Sequence, residues 1–167
     1  MNWLLRVKTT LEKILERTVI VSMAVLVLDV LWQVFSRYIL NAPSPWTEEL
    51  ATILLIWTSL MGASLAYAAK EHLGVDFVAN KLPPRLLRST RIFGHLVVAL
   101  FSCLVMIRGG GLLMENAFNY HQLTPVLGIN WAWIYLAAPV SGVFFTLFAI
   151  EFLLEAVNEK PLLTDTE

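Results

Sequence analysis

The stretch TVIVSMAVLVLDVLWQVFS, residues 18–36, carries one charge, Asp29, in an otherwise apolar run. A helix needs about 20 mostly apolar residues to cross the hydrocarbon core of a bilayer. Working outward along the chain, three more stretches meet that need. Residues 50–69, 92–107 and 131–150 hold no charge at all, and the second of these can lengthen past Arg108 to Met114. Backbone polar groups inside lipid must be satisfied within the segment or by a closed barrel. The alternation of a barrel strand is missing here, so these runs are read as helices.

The expected fold is therefore an all-α membrane protein with four transmembrane helices, at about 18–39, 48–69, 88–114 and 131–154, in a single domain over 1–167. Composition agrees. The apolar set makes up 57% of the 167 residues and charged residues 15%, with a mean hydropathy of +0.68. A soluble domain carries about 25% charged residues to dress its surface. A soluble enzyme, a nucleic-acid binder and a disordered segment are excluded. A single cysteine, Cys103, excludes an intramolecular disulfide and a multi-cysteine zinc site.

Basic residues set the direction. Arg6, Lys8, Lys13 and Arg17 precede span one, and Lys70, Lys81, Arg85, Arg88 and Arg91 lie between spans two and three. With Lys160 after span four, ten of the twelve lysines and arginines fall on one side; Arg37 and Arg108 fall toward the other. The positive-inside rule makes the first side cytoplasmic, with both termini there. Tyr38, Trp46, Tyr120, Trp131 and Trp133 gather at the outer boundary, where amphipathic rings prefer to sit. The first span is expected to stay in the protein. It is too long for a signal peptide, contains Asp29 and lacks a small-residue cleavage site.

Two segments are expected to lie along the membrane. In residues 1–17, Leu4, Val7, Leu11, Ile14 and Leu15 share one helical face, as an interfacial helix or an inward extension of span one. A short interfacial helix over Leu73–Leu82, stopped by Pro83 and Pro84, joins spans two and three. Residues 155–167 read as a tail. Pro139 should kink span four, and Gly62, Ala63, Ser64 and Ala66 suit span two to close helix packing.

Polar groups within the spans are functional candidates, since a partner must offset their cost. Asp29, Gln33, Ser36 and Arg37 share a face that must meet protein. Asp29 reads either as a proton carrier or as a packing residue, and packing is preferred because no counter-charge stands at its depth on another span. Arg108 can snorkel outward or pair with Glu115. In the outer loop, Thr47 reads as an N-cap with Glu48 and Glu49 in the first turn, and Arg37 is brought close enough to form a salt-bridged corner with them. His72, His95 and His121 lie at three different depths, which does not suit a bis-histidine haem. His95 reads as a hydrogen-bonded interhelical residue.

Taken in order, Phe35-Ser-Arg-Tyr-Ile-Leu-Asn41, Pro45-Trp-Thr-Glu-Glu-Leu50, Ile56-Trp57, Leu60-Met-Gly-Ala63 and His72-Leu-Gly-Val-Asp76 resemble the small membrane subunit of tripartite ATP-independent periplasmic (TRAP) transporters. Trp131 and Pro139-Val-Ser-Gly142 extend the likeness less specifically. Ala68-Ala69-Lys70-Glu71 departs from the arginine and glycine more usual before His72. The resemblance implies a non-enzymatic scaffold in a bacterial inner membrane. Its partners would be the bilayer, a large multi-span subunit that holds the sodium and substrate sites and moves as an elevator, and a soluble periplasmic binding protein that delivers an organic anion. No cofactor is implied in this chain. Arg37, Asn41, Trp46, Glu48 and Glu49 would shape an outer corner, and His72 and Asp76 an inner turn. Two rivals remain open: a stand-alone proton-coupled transporter using Asp29, and a membrane anchor of a redox complex.

Overall fold

The structure, a computed structural model, describes residues 2–69 and 84–158, with side chains described from residue 9 in the first segment and residue 88 in the second. The elements are α1 (Asn2–Tyr38), α2 (Pro45–Ala68), α3 (Pro84–Phe101), a π-helical stretch (Ser102–Gly109), α4 (Gly110–Asn119), α5 (Trp131–Tyr135) and α6 (Ala137–Asn158). Four continuous runs among them are long and apolar enough to cross a membrane: Thr9–Tyr38, Pro45–Ala68, Arg88–Asn119 and Trp131–Asn158. The interfacial helix expected over Leu73–Leu82, with His72 and Asp76, lies outside the described residues, as does most of the tail.

No glycine or proline interrupts residues 2–38, so α1 runs unbroken for 37 residues. At 1.5 Å per residue that is about 55 Å, well beyond a hydrocarbon core of about 30 Å. Residues 2–17 therefore continue the axis of span one. Leu15 turns inward and is 1% exposed, while Ile14 beside it faces out. α1 ends where Asn41 takes a left-handed backbone (φ 50°), a conformation asparagine tolerates better than most residues.

Span four is the centre of the bundle. α6 packs on α2, on α3 and on the π-helical stretch, whereas α1 packs chiefly on α2. The core joins Leu15, Met61 and Tyr67 to Phe148, Ala149 and Phe152. Lipid tails give helices no hydrophobic reason to associate, so close packing and interhelical hydrogen bonds must hold them. Both are present. A Cβ on Gly142 would lie 2.8 Å from Met106 Cβ, and one on Gly110 would lie 2.8 Å from Pro139 Cδ. Each glycine lets the other span approach its backbone. One turn beyond the Gly142 contact, the fully buried Ser102 shares a 2.8 Å hydrogen bond with Thr146, and Ser64 Oγ of span two donates to the Ser141 carbonyl at 3.3 Å.

Pro139 acts on span four as expected in kind but earlier in place. It has no N–H for the Tyr135 carbonyl, and the helix is interrupted at Leu136, where α5 passes into α6. At the other end, Tyr67 Oη and His95 Nδ1 are 2.8 Å apart, within a ring cluster completed by Phe145 and Phe152. His95 is thus the interhelical residue anticipated. Arg88 donates from Nε to the Ala156 carbonyl at 3.1 Å and from its terminal nitrogen to the Val157 carbonyl at 2.6 Å. A cation at the C-terminal carbonyls of a helix is favoured by its dipole.

Candidate functional site at the outer corner

The corner begins with the turn between α1 and α2. Proline is pre-organised for the first helical position, and Pro45 takes it. The helix consequently starts two residues before Thr47. Ser44 is the capping position, with no side-chain hydrogen bond, and Thr47 lies inside the first turn. The expected Thr47 cap is corrected: its hydroxyl donates back to the Ser44 carbonyl at 2.6 Å, fully buried. Trp46 is 44% exposed, and Glu48 faces out.

Glu49 is engaged differently from the salt-bridged corner expected. Its two carboxylate oxygens accept the backbone N–H groups of Val126 at 2.7 Å and Leu127 at 2.8 Å. The loop between α4 and α5 is shaped to offer them. Thr124 N donates to the Ile129 carbonyl, Gly128 N to the Thr124 carbonyl, and Ile129 N to Thr124 Oγ1. Gly128 sits at φ +64°, where a side chain would be strained. Asn130 then caps α5 by accepting from Ala132 N at 2.8 Å. The buried Thr124 folds the loop, and the folded loop presents two adjacent amides to a carboxylate. Glu49 ties the entrance of span two to the entrance of span four.

With that carboxylate occupied, no ion pair joins Arg37 to Glu48 or Glu49 among the described residues. Arg37 is exposed in the last turn of α1, and Asn41 shapes the turn through its left-handed backbone. The sequence reading brought these five residues to one corner but missed the partner of Glu49. The signals were Pro125, Gly128 and Asn130, which mark a turn and a helix start. They do not say which carboxylate the turn will meet.

The intramembrane candidates separate. Asp29 is 7% exposed and Ser36 3%, so these two face protein as expected, whereas Gln33 is half-buried and Arg37 exposed; the Ser36 hydroxyl donates to the Gln33 carbonyl. Arg108 is exposed, and the pairing anticipated with Glu115 does not form among the described residues. Gly110 meets Pro139 and Gly142 meets Met106, which sets Arg108 level with Val140 and Ser141 of span four, nearer the Asn119 and Trp131 ends of spans three and four than their other ends. Among the described residues, no three His, Cys, Asp or Glu side chains converge to hold a metal.

These features define a class first: a multi-pass membrane subunit whose polar side chains join helix to helix and loop to helix. The family description "Tripartite ATP-independent periplasmic transporters, DctQ component" matches residues 11–159. The chain is 32% identical over 129 residues to the sialic acid TRAP transporter small permease protein SiaQ of Vibrio cholerae, covering 77% of this chain and 73% of that one. It is 29% identical over 119 residues to the C4-dicarboxylate TRAP transporter small permease protein DctQ of Vibrio cholerae, covering 71% and 48%. Against the sialic acid TRAP transporter permease protein SiaT of Haemophilus influenzae it is 31% identical over 111 residues, 66% of this chain but 18% of that protein. The chain belongs to the DctQ component family of TRAP transporters. It is an inner-membrane, multi-pass transporter subunit and not an enzyme.

Proposed function

We propose that this chain is the fixed scaffold of a sodium-coupled TRAP transporter, in which a large multi-span subunit carries an organic acid anion delivered by a periplasmic binding protein. The observation that carries the reading is the apolar exterior of the bundle combined with the Haemophilus relative. In that relative, the matching region is 18% of a single permease chain, so a segment matching two thirds of this chain is there part of a much longer permease. Here the unit leaves Val21, Leu28 and Leu31 of α1 exposed, and Phe93, Leu100 and Leu104 of span three. The sodium sites and substrate pocket are assigned to the large subunit. The substrate class is an organic acid anion such as a C4-dicarboxylate, sialic acid or another sugar acid; relatives named for sialic acid and C4-dicarboxylates support it. The side holding most of the lysines and arginines is assigned to the cytoplasm, with both termini.

The test is recovery and transport. Tagged and extracted in mild detergent, this chain should bring down a larger membrane subunit. The reconstituted complex with its binding protein should take up a carboxylate only with a sodium gradient. Alone in vesicles the chain should transport nothing, and Asp29→Asn should leave uptake by the complex within about twofold, as expected of a packing carboxylate. Uptake by the isolated chain, abolished by Asp29→Asn, would instead establish a stand-alone proton-coupled carrier.

A further inference from the structure

We propose that Arg108 is a docking residue of this chain, pairing with a carboxylate that a transmembrane helix of the large subunit brings to the exposed face of span three. The proposal rests on the scaffold reading above. Arg108 lies in the last turn of the π-helical stretch. One side of that stretch is closed against span four, with Ser102 and Gly110 fully packed. Arg108 is on the other side, among Phe101, Leu104, Val105 and Leu112, each 53–55% exposed. A charged side chain therefore stands in an apolar surface that the other described residues leave uncovered.

Position makes this costly. Arg108 lies between the Gly110–Pro139 and Met106–Gly142 contacts, inside the apolar runs Arg88–Asn119 and Trp131–Asn158, where a charged side chain needs a partner. Among the described residues it has no ion pair, and Glu115 is about 10 Å further along the helix. Arginine is not neutralised by burial as lysine is, and its planar fork fits a carboxylate through two parallel hydrogen bonds. An intramembrane charge persists where it faces protein or a water-filled cavity. Among the described residues, none covers the face around Arg108. The occupant is therefore a helix of the large subunit carrying an Asp or Glu at the level of Arg108.

Co-expression with the large subunit tests this, with the tagged chain recovered in mild detergent. Arg108→Leu should lower co-recovery about thirtyfold or more, while the amount of this chain in the membrane stays unchanged, since the substitution makes the span more apolar. Arg108→Lys should retain an intermediate share, and Glu115→Gln should match the parent. Arg108→Glu should fail to assemble, and an Asp or Glu to Lys substitution in a span of the large subunit should restore it. Full recovery with Arg108→Leu overturns the proposal. If phospholipid bound to the complex falls at the same time, the partner is a lipid phosphate, which also overturns it. If the parent chain brings down no larger subunit, the scaffold reading fails and the docking proposal with it.

Discussion

The most apolar stretch of span four has 33% of its residues buried inside the chain, whereas the corresponding stretch of span one has 6%. Both are long, and both are built from aliphatic and aromatic residues. Their difference lies in small and hydroxylated residues. Span four places Ala137, Ser141, Gly142 and Ala149 where a neighbour's backbone or side chain must come close, and all four are buried. Span one has no glycine, and over Val19–Leu28 its surface is a shallow apolar groove. In lipid, bulk apolarity does not distinguish inside from outside, because the solvent is as apolar as the core. What distinguishes them is whether a helix has been cut away to admit a partner. Span four is cut to fit this chain; span one presents an intact surface to whatever lies beyond it.

The largest effect is expected at Gly142. Gly142→Leu would drive a branched side chain into Met106 and the Ile107 backbone. It should cost about 3 kcal/mol or more, read as loss of a cooperative unfolding transition in mild detergent. Tyr67→Phe acts at the opposite end of the bundle from the α4–α5 loop. The substitution keeps the ring against Phe145 and Phe152 but removes the 2.8 Å hydrogen bond to His95, and should lower stability by about 1 kcal/mol. His95→Phe combined with it should recover part of that loss, since both polar partners are then gone.

Glu49→Gln sharpens the comparison at the outer end with a smaller, local effect. The neutral amide presents one acceptor oxygen where the carboxylate presents two, so one of the Val126 and Leu127 amides loses its partner. Hydrogen exchange at those amides should accelerate about tenfold, without a matching change across the helices. An unchanged exchange rate would show that Thr124 and Gly128 hold the loop unaided.

The sequence made the spans legible because their apolar runs are long, and it made Asp29 and Ser36 legible as a protein-facing stripe because helical spacing puts them on one face. It misjudged features that depend on where two separate segments meet. Helix starts moved because Pro45 took the first position ahead of Thr47. Glu49 found its partners 77 residues away, a distance at which turn signals identify a loop and say nothing of its neighbour. For the same reason the π-helical stretch was not foreseen. Its residues, SCLVMIRG, are ordinary for a helix, and the wider turn becomes explicable only beside Gly142 and Thr146.

The smallest effect is expected on the surface left intact. Leu28 is 66% exposed and belongs to the groove of α1. In the isolated chain Leu28→Ala trades one lipid-facing aliphatic residue for another, so the unfolding transition should move by less than about 0.5 kcal/mol. The same substitution in span four, where a side chain such as Phe148 is 2% exposed, would open a cavity and cost about 3 kcal/mol. If Leu28→Ala lowers the stability of the isolated chain by a comparable amount, span one is held by contacts within the chain or by a second copy of it, and the division of labour between the two spans fails. If it leaves the isolated chain unchanged but weakens recovery of the large subunit, the intact surface of span one is an interface. A lipid-facing helix would show neither change, because lipid refills the space that a protein neighbour cannot.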